Sequence, residues 1–492
     1  MKRRTISVHT LSIIAVVVLI LLMIPLLVTS IYNRPIADDL VQPYPPTAVY
    51  RETGSVWDAF IASIKETKNI WQTRNGIFSS MFLSVFAPYI FHYTYGFIHP
   101  IIISFLLVFS CFFACYRFRI INPTIPIAYT RLVGALLSIA ILTTMPCISE
   151  GLYWYSGAVN YTFFFALNFL LFASLFHTLS IGNLSIAKSV LFLLIYCIGF
   201  FFLGGANWMS PTLSIVIYGF VAVYILFQKK QKRYLIPFAF LLLGYALAIF
   251  APGNAVRQEI VGERLSLIDA FIASFVKAFQ VYTSNGQYYF FALLLLPVFA
   301  RLSQYIPKLP KYWYLIPVGS VCILAAAYFP LIYSTYSIFE RHENMIFYHA
   351  MVLLFVNEAL LVVWISQKLS AKYQKGDQFS LKKSLAFVIA FSLIFAAVFD
   401  TNVSFSPFRV TSDFAPLKAA IHLGMGYSKS YAQGYDNLVY TLQTTDEPII
   451  PVSTDLESPL LGIPGFHWDP TYWTNVGFVS FYTDKDDAII QK

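Results

Sequence analysis

Two adjacent carboxylates, Asp38 and Asp39, follow the first hydrophobic segment of the chain. Aspartates at such positions often cap the first turn of a helix, which gives a purely structural interpretation. The chemical interpretation is that one carboxylate acts as a general base or binds a metal at a cavity facing the membrane. A like charge next to it would raise the pKa of that base. The two residues by themselves leave both interpretations open.

A second group of polar residues lies between two hydrophobic stretches, in the segment 149–161. Glu150 is costly to place at a membrane boundary without a partner. Trp154 and Asn160 could bind a sugar, because aromatic rings stack on sugar faces and amides bond to hydroxyls. An interfacial aromatic belt would explain Trp154 but not Glu150. Asn207 follows in a Gly-Gly turn that is either a short connection or a further polar contact.

Three arginines occur at the ends of hydrophobic segments. Arg257 follows the helix-stopping run Ala-Pro-Gly-Asn, and Arg341 lies beside His342, which we interpret as structural or solvated. Arg74 and Asn75 precede a short apolar segment. A guanidinium group matches phosphate oxygens, although a single arginine at a membrane boundary is more often a snorkelling residue.

Further along the chain, Trp473 in the C-terminal part either closes over a site or packs. The sequence has no Walker loop, no dinucleotide-binding fingerprint and no zinc-type spacing. These absences weaken any function that depends on nucleotide chemistry.

The composition is that of a polytopic membrane protein. Of 492 residues, 58% are hydrophobic and 12% charged, against about 25% charged in soluble domains. The net charge of +9 is concentrated in short loops, where it orients membrane proteins, so we predict no nucleic-acid partner. The five cysteines lie in or beside apolar runs and predict no disulfide framework.

Apolar runs predict an all-α fold of about eleven transmembrane helices. They lie near residues 8–31, 95–116, 127–147, 160–180, 187–204, 210–228, 234–251, 285–301, 312–333, 345–366 and 383–400. The segment 78–91 predicts a half-helix on or in the bilayer.

The basic loops alternate in a way that predicts a cytoplasmic N-terminus. The first loop, 32–94, and the tail, 401–492, then lie on the opposite side, together with most of the carboxylates. We therefore predict a membrane domain over 1–400 and a small extracytoplasmic C-terminal domain, α/β or mixed, over 401–492.

The ordered set of these motifs resembles the GT-C class of polyprenyl-phosphate-sugar-dependent glycosyltransferases. More closely, the chain resembles a bacterial multi-pass family related to the serotype-converting O-antigen glucosyltransferases. The motifs that carry the resemblance are Ala37-Asp38-Asp39, Arg74-Asn75-Gly76, Glu150 to Tyr161, Ala251 to Arg257, and Trp473-Thr-Asn475. One departure is that the family usually has Asn-Gly-Arg at the half-helix, whereas Ile77 follows Gly76 here.

The resemblance implies an enzyme of the bacterial cytoplasmic membrane that moves a sugar from a polyprenyl phosphate to a cell-envelope glycan or glycopolymer. Arg257 and Arg341 would bind the donor phosphate, and Asp38 or Asp39 would deprotonate the acceptor in an inverting displacement. The remaining candidates would position sugars or complete the site: Arg74, Asn75, Glu150, Trp154, Asn160, Asn207 and Trp473.

The resemblance requires no cofactor, although some members of the class use a divalent metal, which Asp38 and Asp39 could hold. The donor would be supplied through a flippase or an upstream polyprenyl-phosphate glycosyltransferase. The competing hypotheses are a lipid-linked saccharide flippase and a polysaccharide polymerase. Transporters, however, place charged groups near the membrane midplane, and here only Glu358, next to Asn357, lies well inside a span.

Overall fold

The computed structural model of the protein describes most of the chain, in segments. They are residues 7–181, 184–228, 231–261, 264–283, 286–306, 309, 311–334, 338–372, 414–444, 449–451, 458, 460–461, 469, 471–483 and 489–491.

The described residues form a predominantly helical structure. The first helices are α1 (Val8–Ser30), α2 (Asp38–Val41), α3 (Tyr44–Thr53), α4 (Val56–Thr73), α5 (Phe78–Val85), α6 (Ile98–Ile121) and α7 (Ile127–Thr143). The middle of the chain forms α8 (Tyr155–Gly157), α9 (Phe163–Ile181), α10 (Ile186–Gly204), α11 (Met209–Gln228), α12 (Ile236–Ile249) and α13 (Gly253–Val261). There follow α14 (Leu267–Gln280), α15 (Gly286–Leu302), α16 (Leu315–Ser334), α17 (Glu340–Lys372), α18 (Ala415–Gly424), α19 (Tyr427–Thr444) and α20 (Trp473–Tyr482).

Short 3-10 and π segments connect several of these helices. The 3-10 segments are Pro88–Ile90, Tyr93–Phe97, Lys232–Leu235, Val281–Thr283 and Ser303–Tyr305, and the π segments Ser149–Tyr153 and Ala158–Thr162 flank α8. The strands β1 (Ile449–Pro451) and β2 (Ile489–Gln491) form a parallel pair with Ile449 opposite Ile489.

Eight helical stretches among the described residues are long and apolar enough to cross a membrane. They are Val8–Ser30, Tyr93–Ile121, Tyr155–Ile181, Ile186–Gly204, Met209–Phe227, Lys232–Ile249, Leu315–Ser334 and Glu340–Lys368. Two further predicted spans coincide with shorter apolar helices, Ile127–Thr143 and Phe290–Tyr305. The predicted span 383–400 lies outside the described residues. A polytopic helical membrane protein is thus confirmed, and the number eleven stays a prediction.

The first span shows how the sequence separates a packed face from a lipid-compatible face. Ser7 caps α1 by accepting a hydrogen bond from the backbone N–H of Thr10 at 3.1 Å. Buried residues recur every three or four positions, including Leu19, Met23 and Leu26, which places them on one stripe of the helix. That stripe packs against α6 and α7, while most other side chains of α1 are exposed.

The predicted first loop is itself mostly helical. Ser55 caps α4 through the backbone N–H of Asp58 at 3.2 Å. Apolar side chains such as Trp57 and Ile64 remain exposed on α4, and α4 packs against α3, α5 and α13. The predicted half-helix corresponds to α5 together with the 3-10 turn Pro88–Ile90, which form one short apolar stretch.

The described C-terminal segment, from α18 to α20, packs against the beginning of the chain. Helix α18 contacts α1, and α20 contacts α2 and α3. The Tyr435 hydroxyl donates to the carbonyl of Pro35 at 2.7 Å. The boundary predicted at residue 400 lies outside the described residues.

Candidate functional site

Asp39 is fully buried and fixed in the scaffold. Its carboxylate accepts hydrogen bonds from the Ser156 hydroxyl at 2.7 Å, the Ser156 backbone N–H at 2.8 Å and the Tyr155 backbone N–H at 3.2 Å. Asp39 thereby caps the start of α8 from a distant part of the chain. Burial raises its pKa from 3.8 to about 7, against the lowering effect of these donors.

Asp38 has a different environment, although it is the next residue. Ala37 adopts a positive φ of 48°, and Asp38 is half-buried. Its Oδ1 atom is shielded from solvent, accepts no hydrogen bond from the described residues and lies 3.7 Å from Arg74 Nη2. Buried acceptors without a donor are uncommon in folded proteins, so this oxygen is suited to accept a proton or hydrogen bond from a bound molecule.

Arg74 lies in a turn that is locked onto the end of α12. Asn254 Oδ1 accepts from the backbone N–H of Gly76 at 2.9 Å, and Asn254 Nδ2 donates to the Ala248 carbonyl at 2.8 Å. A side chain at Gly76 would collide with that same Ala248 carbonyl. Asn75 is buried in this turn, where its Oδ1 accepts from the Ile77 backbone at 3.3 Å.

Arg257 on α13 is an exposed cation near this turn. Partial desolvation by the surrounding protein lowers its pKa, and the neighbouring cations Arg74 and Arg341 lower it further, while Tyr161 and Asp38 act in the opposite direction. The side chain of Arg257 forms no ion pair within the described part of the chain. It is therefore positioned to bind an anion next to Asp38.

Arg341 and Glu150 form a second half-buried pair. Glu150 Oε1 lies 3.6 Å from Arg341 Nη1, and Glu150 Oε2 accepts from the Arg341 backbone N–H at 2.6 Å. Burial raises the pKa of Glu150, and Arg341 opposes this shift. The guanidinium of Arg341 also stacks near the ring of Trp154, at 5.4 Å from its centroid. Glu150, Trp154 and Arg341 thus form one contact group.

Two of the asparagines predicted to bind substrate donate hydrogen bonds within the scaffold through their side-chain NH2 groups. Asn160 Nδ2 donates to Ser84 Oγ at 3.1 Å and to the Ser156 carbonyl at 2.6 Å. Asn207 donates to the Asn160 carbonyl and caps α11, where its Oδ1 accepts from the backbone of Ser210 at 3.1 Å. Both are buried, and Asn160 Oδ1 has no hydrogen-bond partner among the described residues. Their predicted role in substrate binding stays a prediction.

Trp473 lies at the start of α20 and is exposed. Its helix packs against α2, the helix that begins with Asp38. A side chain added at Gly477 of α20 would meet Val41 of α2. Trp473 is thus on a helix close to the candidate site, and its ring contacts the ring of its neighbour Tyr472.

The structure adds two residues that sequence reasoning did not assign to the site, Tyr161 and His342. The Tyr161 hydroxyl lies 3.0 Å from His342 Nε2 and interacts electrostatically with Arg341 and Arg257. His342 is buried rather than solvated. His342 Nδ1 accepts a hydrogen bond from the backbone N–H of Phe339. In the sequence, only the spacing of three residues between Phe339 and His342 points to this capping role.

Asp38 and Asp39 have different partners, and no cluster of three or more His, Cys, Asp or Glu side chains occurs among the described residues. The divalent metal considered at these aspartates stays a prediction.

The fold and the site define a polytopic helical membrane protein with carboxylates and guanidinium groups gathered in one region. Comparison of the chain with protein-family models, with curated proteins and with solved structures gives no match. The resemblance to the GT-C class consequently depends on the sequence motifs and on the residues they bring together.

Proposed function

We propose that this protein is a membrane glycosyltransferase that uses a polyprenyl-phosphate sugar and acts on a cell-envelope glycan or glycopolymer. The observation that carries the proposal is a half-buried carboxylate, Asp38, beside a group of three arginines. Arg74 pairs with Asp38 and Arg341 pairs with Glu150, while Arg257 lacks an ion pair among the described residues. One uncompensated cation next to a base suits a substrate with one negatively charged phosphodiester.

In the proposed reaction, Arg257 binds the phosphate of the donor and Arg341 lies close enough to share its charge. The acceptor hydroxyl gives its proton to Asp38 while its oxygen attacks the anomeric carbon. The bond from that carbon to the phosphate oxygen breaks, and the electron pair leaves with the polyprenyl phosphate. Positioning and charge stabilisation are the main requirements of such a step, and a single displacement inverts the anomeric centre.

Asp38 is better suited than Asp39 to act as the base. Asp39 is fully buried and accepts hydrogen bonds from Ser156, Tyr155 and Ile36, so a substrate hydroxyl has no route to it in this arrangement. The Asp38 side chain is 23% exposed, and its shielded Oδ1 atom has no hydrogen-bond donor among the described residues. A general base has to lie within hydrogen-bond reach of the proton that it removes.

An apolar groove next to the Arg74 turn supports a lipid-linked donor. It is lined by Ile64, Thr67, Lys68, Trp71, Phe78, Phe201 and Leu247. Trp71 Nε1 donates to the Leu247 carbonyl at 3.0 Å, which ties the groove to the end of α12 that also holds the Arg74 turn. A prenyl chain could lie there with its phosphate close to the arginines.

The test is transfer by the purified protein in liposomes that contain a radiolabelled polyprenyl-phosphate sugar. Label should leave the lipid fraction with wild-type protein. Arg257→Ala should raise the apparent donor KM by about tenfold or more, as expected for the loss of a charge-assisted contact, with Lys429→Ala on the exposed face of α19 as the control. Label that stays on the lipid, whatever glycan acceptor is added, would reject the proposal.

The alternative, a lipid-linked saccharide flippase, is favoured by Glu358. This buried residue of α17 lies inside a span, and neither of its carboxylate oxygens has a hydrogen-bond partner among the described residues. Intramembrane carboxyl groups commonly mark transport pathways. Movement of a fluorescent polyprenyl-phosphate sugar between leaflets, lost in Glu358→Gln and retained in Asp38→Asn, would support this alternative.

A further inference from the structure

Tyr161 and His342 form a partly buried hydrogen-bonded pair next to the arginines, and the direction of each hydrogen bond can be deduced. The backbone N–H of Phe339 lies 3.1 Å from His342 Nδ1. A backbone N–H can only donate, so Nδ1 is an acceptor and carries no proton. The imidazole is then neutral, and its one N–H is at Nε2.

This tautomer fixes the role of the Tyr161 hydroxyl. His342 Nε2 lies 3.0 Å from the hydroxyl oxygen, and since Nε2 carries the proton, it donates and the tyrosine oxygen accepts. The hydroxyl proton of Tyr161 has no acceptor of its own among the described residues. It is therefore free to donate to a bound molecule.

The charges around this hydroxyl favour an anion. Arg341 and Arg257 both interact electrostatically with it, and the weaker interaction of Glu150 opposes these two cations. Tyr161 is half-buried, whereas His342 is 5% exposed and serves to orient the tyrosine. A hydroxyl that accepts a hydrogen bond and lies near cations is a stronger donor than an isolated phenol.

We propose that the Tyr161 hydroxyl donates a hydrogen bond to a phosphate oxygen of the departing polyprenyl phosphate, with His342 as its positioning residue. This inference rests on the proposed function, because it places the leaving group at Tyr161, Arg257 and Arg341. Tyrosine keeps its proton throughout: the bond between the anomeric carbon and the phosphate oxygen breaks, the oxygen takes the electron pair, and the hydrogen bond strengthens as negative charge accumulates there.

The decisive experiment separates phosphate binding from sugar transfer. Farnesyl phosphate is titrated into the purified protein in detergent and followed by phosphorus-31 NMR. Tyr161→Phe should weaken its binding by about tenfold or more, as expected for the loss of a hydrogen bond to a charged group. Tyr440→Phe removes the same atom from an exposed tyrosine and should leave binding unchanged.

Transfer kinetics then test the positioning role of His342. His342→Gln retains a group that can accept from Phe339 and donate to Tyr161, and should keep more of the kcat than His342→Phe, which can do neither. Tyr161→Phe should lower kcat more than it raises the acceptor KM. Unchanged farnesyl phosphate binding in Tyr161→Phe would overturn the inference. Normal phosphate binding by wild-type protein without any sugar transfer would instead reject the proposed function and leave the anion site standing.

Discussion

At the residue scale, the adjacent carboxylates Asp38 and Asp39 differ in what surrounds them. Asp39 accepts several hydrogen bonds from α8. Asp38 Oδ1 has no donor within the described part of the chain and lies 3.7 Å from Arg74 Nη2. An asparagine at position 39 would place an NH2 group where the buried donors now meet a carboxylate oxygen. Some of these donors would then have no acceptor. An amide at position 38 meets no such conflict.

We therefore expect the two asparagine variants to fail for different reasons. Asp38→Asn should insert and unfold like the wild type and lose transfer activity by about 100-fold or more, as expected for the loss of a general base. Asp39→Asn should lower the thermal midpoint in detergent. Measurements of the sugar-transfer rate and of thermal unfolding for both variants test these expectations. Full activity in Asp38→Asn would exclude Asp38 as the base.

The titration of Asp39 predicts a pH dependence of stability. Its pKa is raised from 3.8 to about 7 in the folded protein, so the folded state holds this proton more tightly than the unfolded chain. The contribution of Asp39 to the free energy of unfolding is therefore largest below about pH 4 and is lost as the pH rises through about 7.

The difference in thermal midpoint between the wild type and Asp39→Asn isolates this group from other titrations. The advantage of the wild type should shrink as the pH rises from about 4 to about 7. An advantage that grows over this range would show that the donors from Ser156 and Tyr155 outweigh burial, and that Asp39 is ionised well below neutral pH.

The sequence identified most side chains of the candidate site as chemically interesting, because carboxylates and arginines are rare in a chain of this composition. It could not separate Asp38 from Asp39, since their difference comes from Ser156, more than one hundred positions away. The sequence also could not show the hydrogen bonds of Asn160 and Asn207, because their partners come from other parts of the chain. Site membership itself stays a prediction until activity is measured.

At the element scale, the C-terminal part of the chain holds the segment that carries Asp38 in place. Arg34 Nε and Nη2 bind the two oxygens of Asp436 on α19 at 2.7 and 2.8 Å, and Arg34 Nη1 donates to the carbonyls of Ile31 and Asn33. The sequence predicts a separate domain over 401–492. No local pattern could reveal this contact, since it joins residues 402 positions apart.

Breaking this pair should affect activity through the position of Asp38. Arg34→Ala removes a side chain that is 9% exposed, together with its hydrogen bonds to the carbonyls of Ile31 and Asn33. Asp436→Ala removes a side chain that is 37% exposed and leaves those two hydrogen bonds in place. We expect Arg34→Ala to lower the thermal midpoint more than Asp436→Ala. Arg34→Lys should be intermediate, because a lysine keeps the charge but cannot form the two parallel hydrogen bonds.

Transfer assays distinguish positioning from general stability. Asp436→Asn keeps the shape of the side chain and should lower kcat at temperatures where the protein remains folded, with little change in donor KM. Lys429→Ala, on the same helix, is the control. Equal losses of stability and activity across all of these variants would show that the pair only supports the fold.

At the scale of the whole molecule, the spans were predictable because the hydropathy of a segment depends only on the residues of that segment. Eight of the eleven predicted spans coincide with helices long and apolar enough to cross. The shorter Ile127–Thr143 has a mostly buried surface, so its place depends on packing against α1 and α6, which hydropathy does not report. The orientation of the helices stays a prediction from loop charges.

Cysteine labelling tests that orientation and with it the location of the site. The five native cysteines are buried or half-buried, so they give a low background. Exposed positions are available in the predicted outer loop at Glu52 and in a predicted cytoplasmic loop at Thr124. A membrane-impermeant maleimide should label Glu52→Cys in intact cells and Thr124→Cys only after permeabilisation. The reverse pattern would put Asp38 and the arginines on the cytoplasmic side, where a donor presented in the outer leaflet could not reach them.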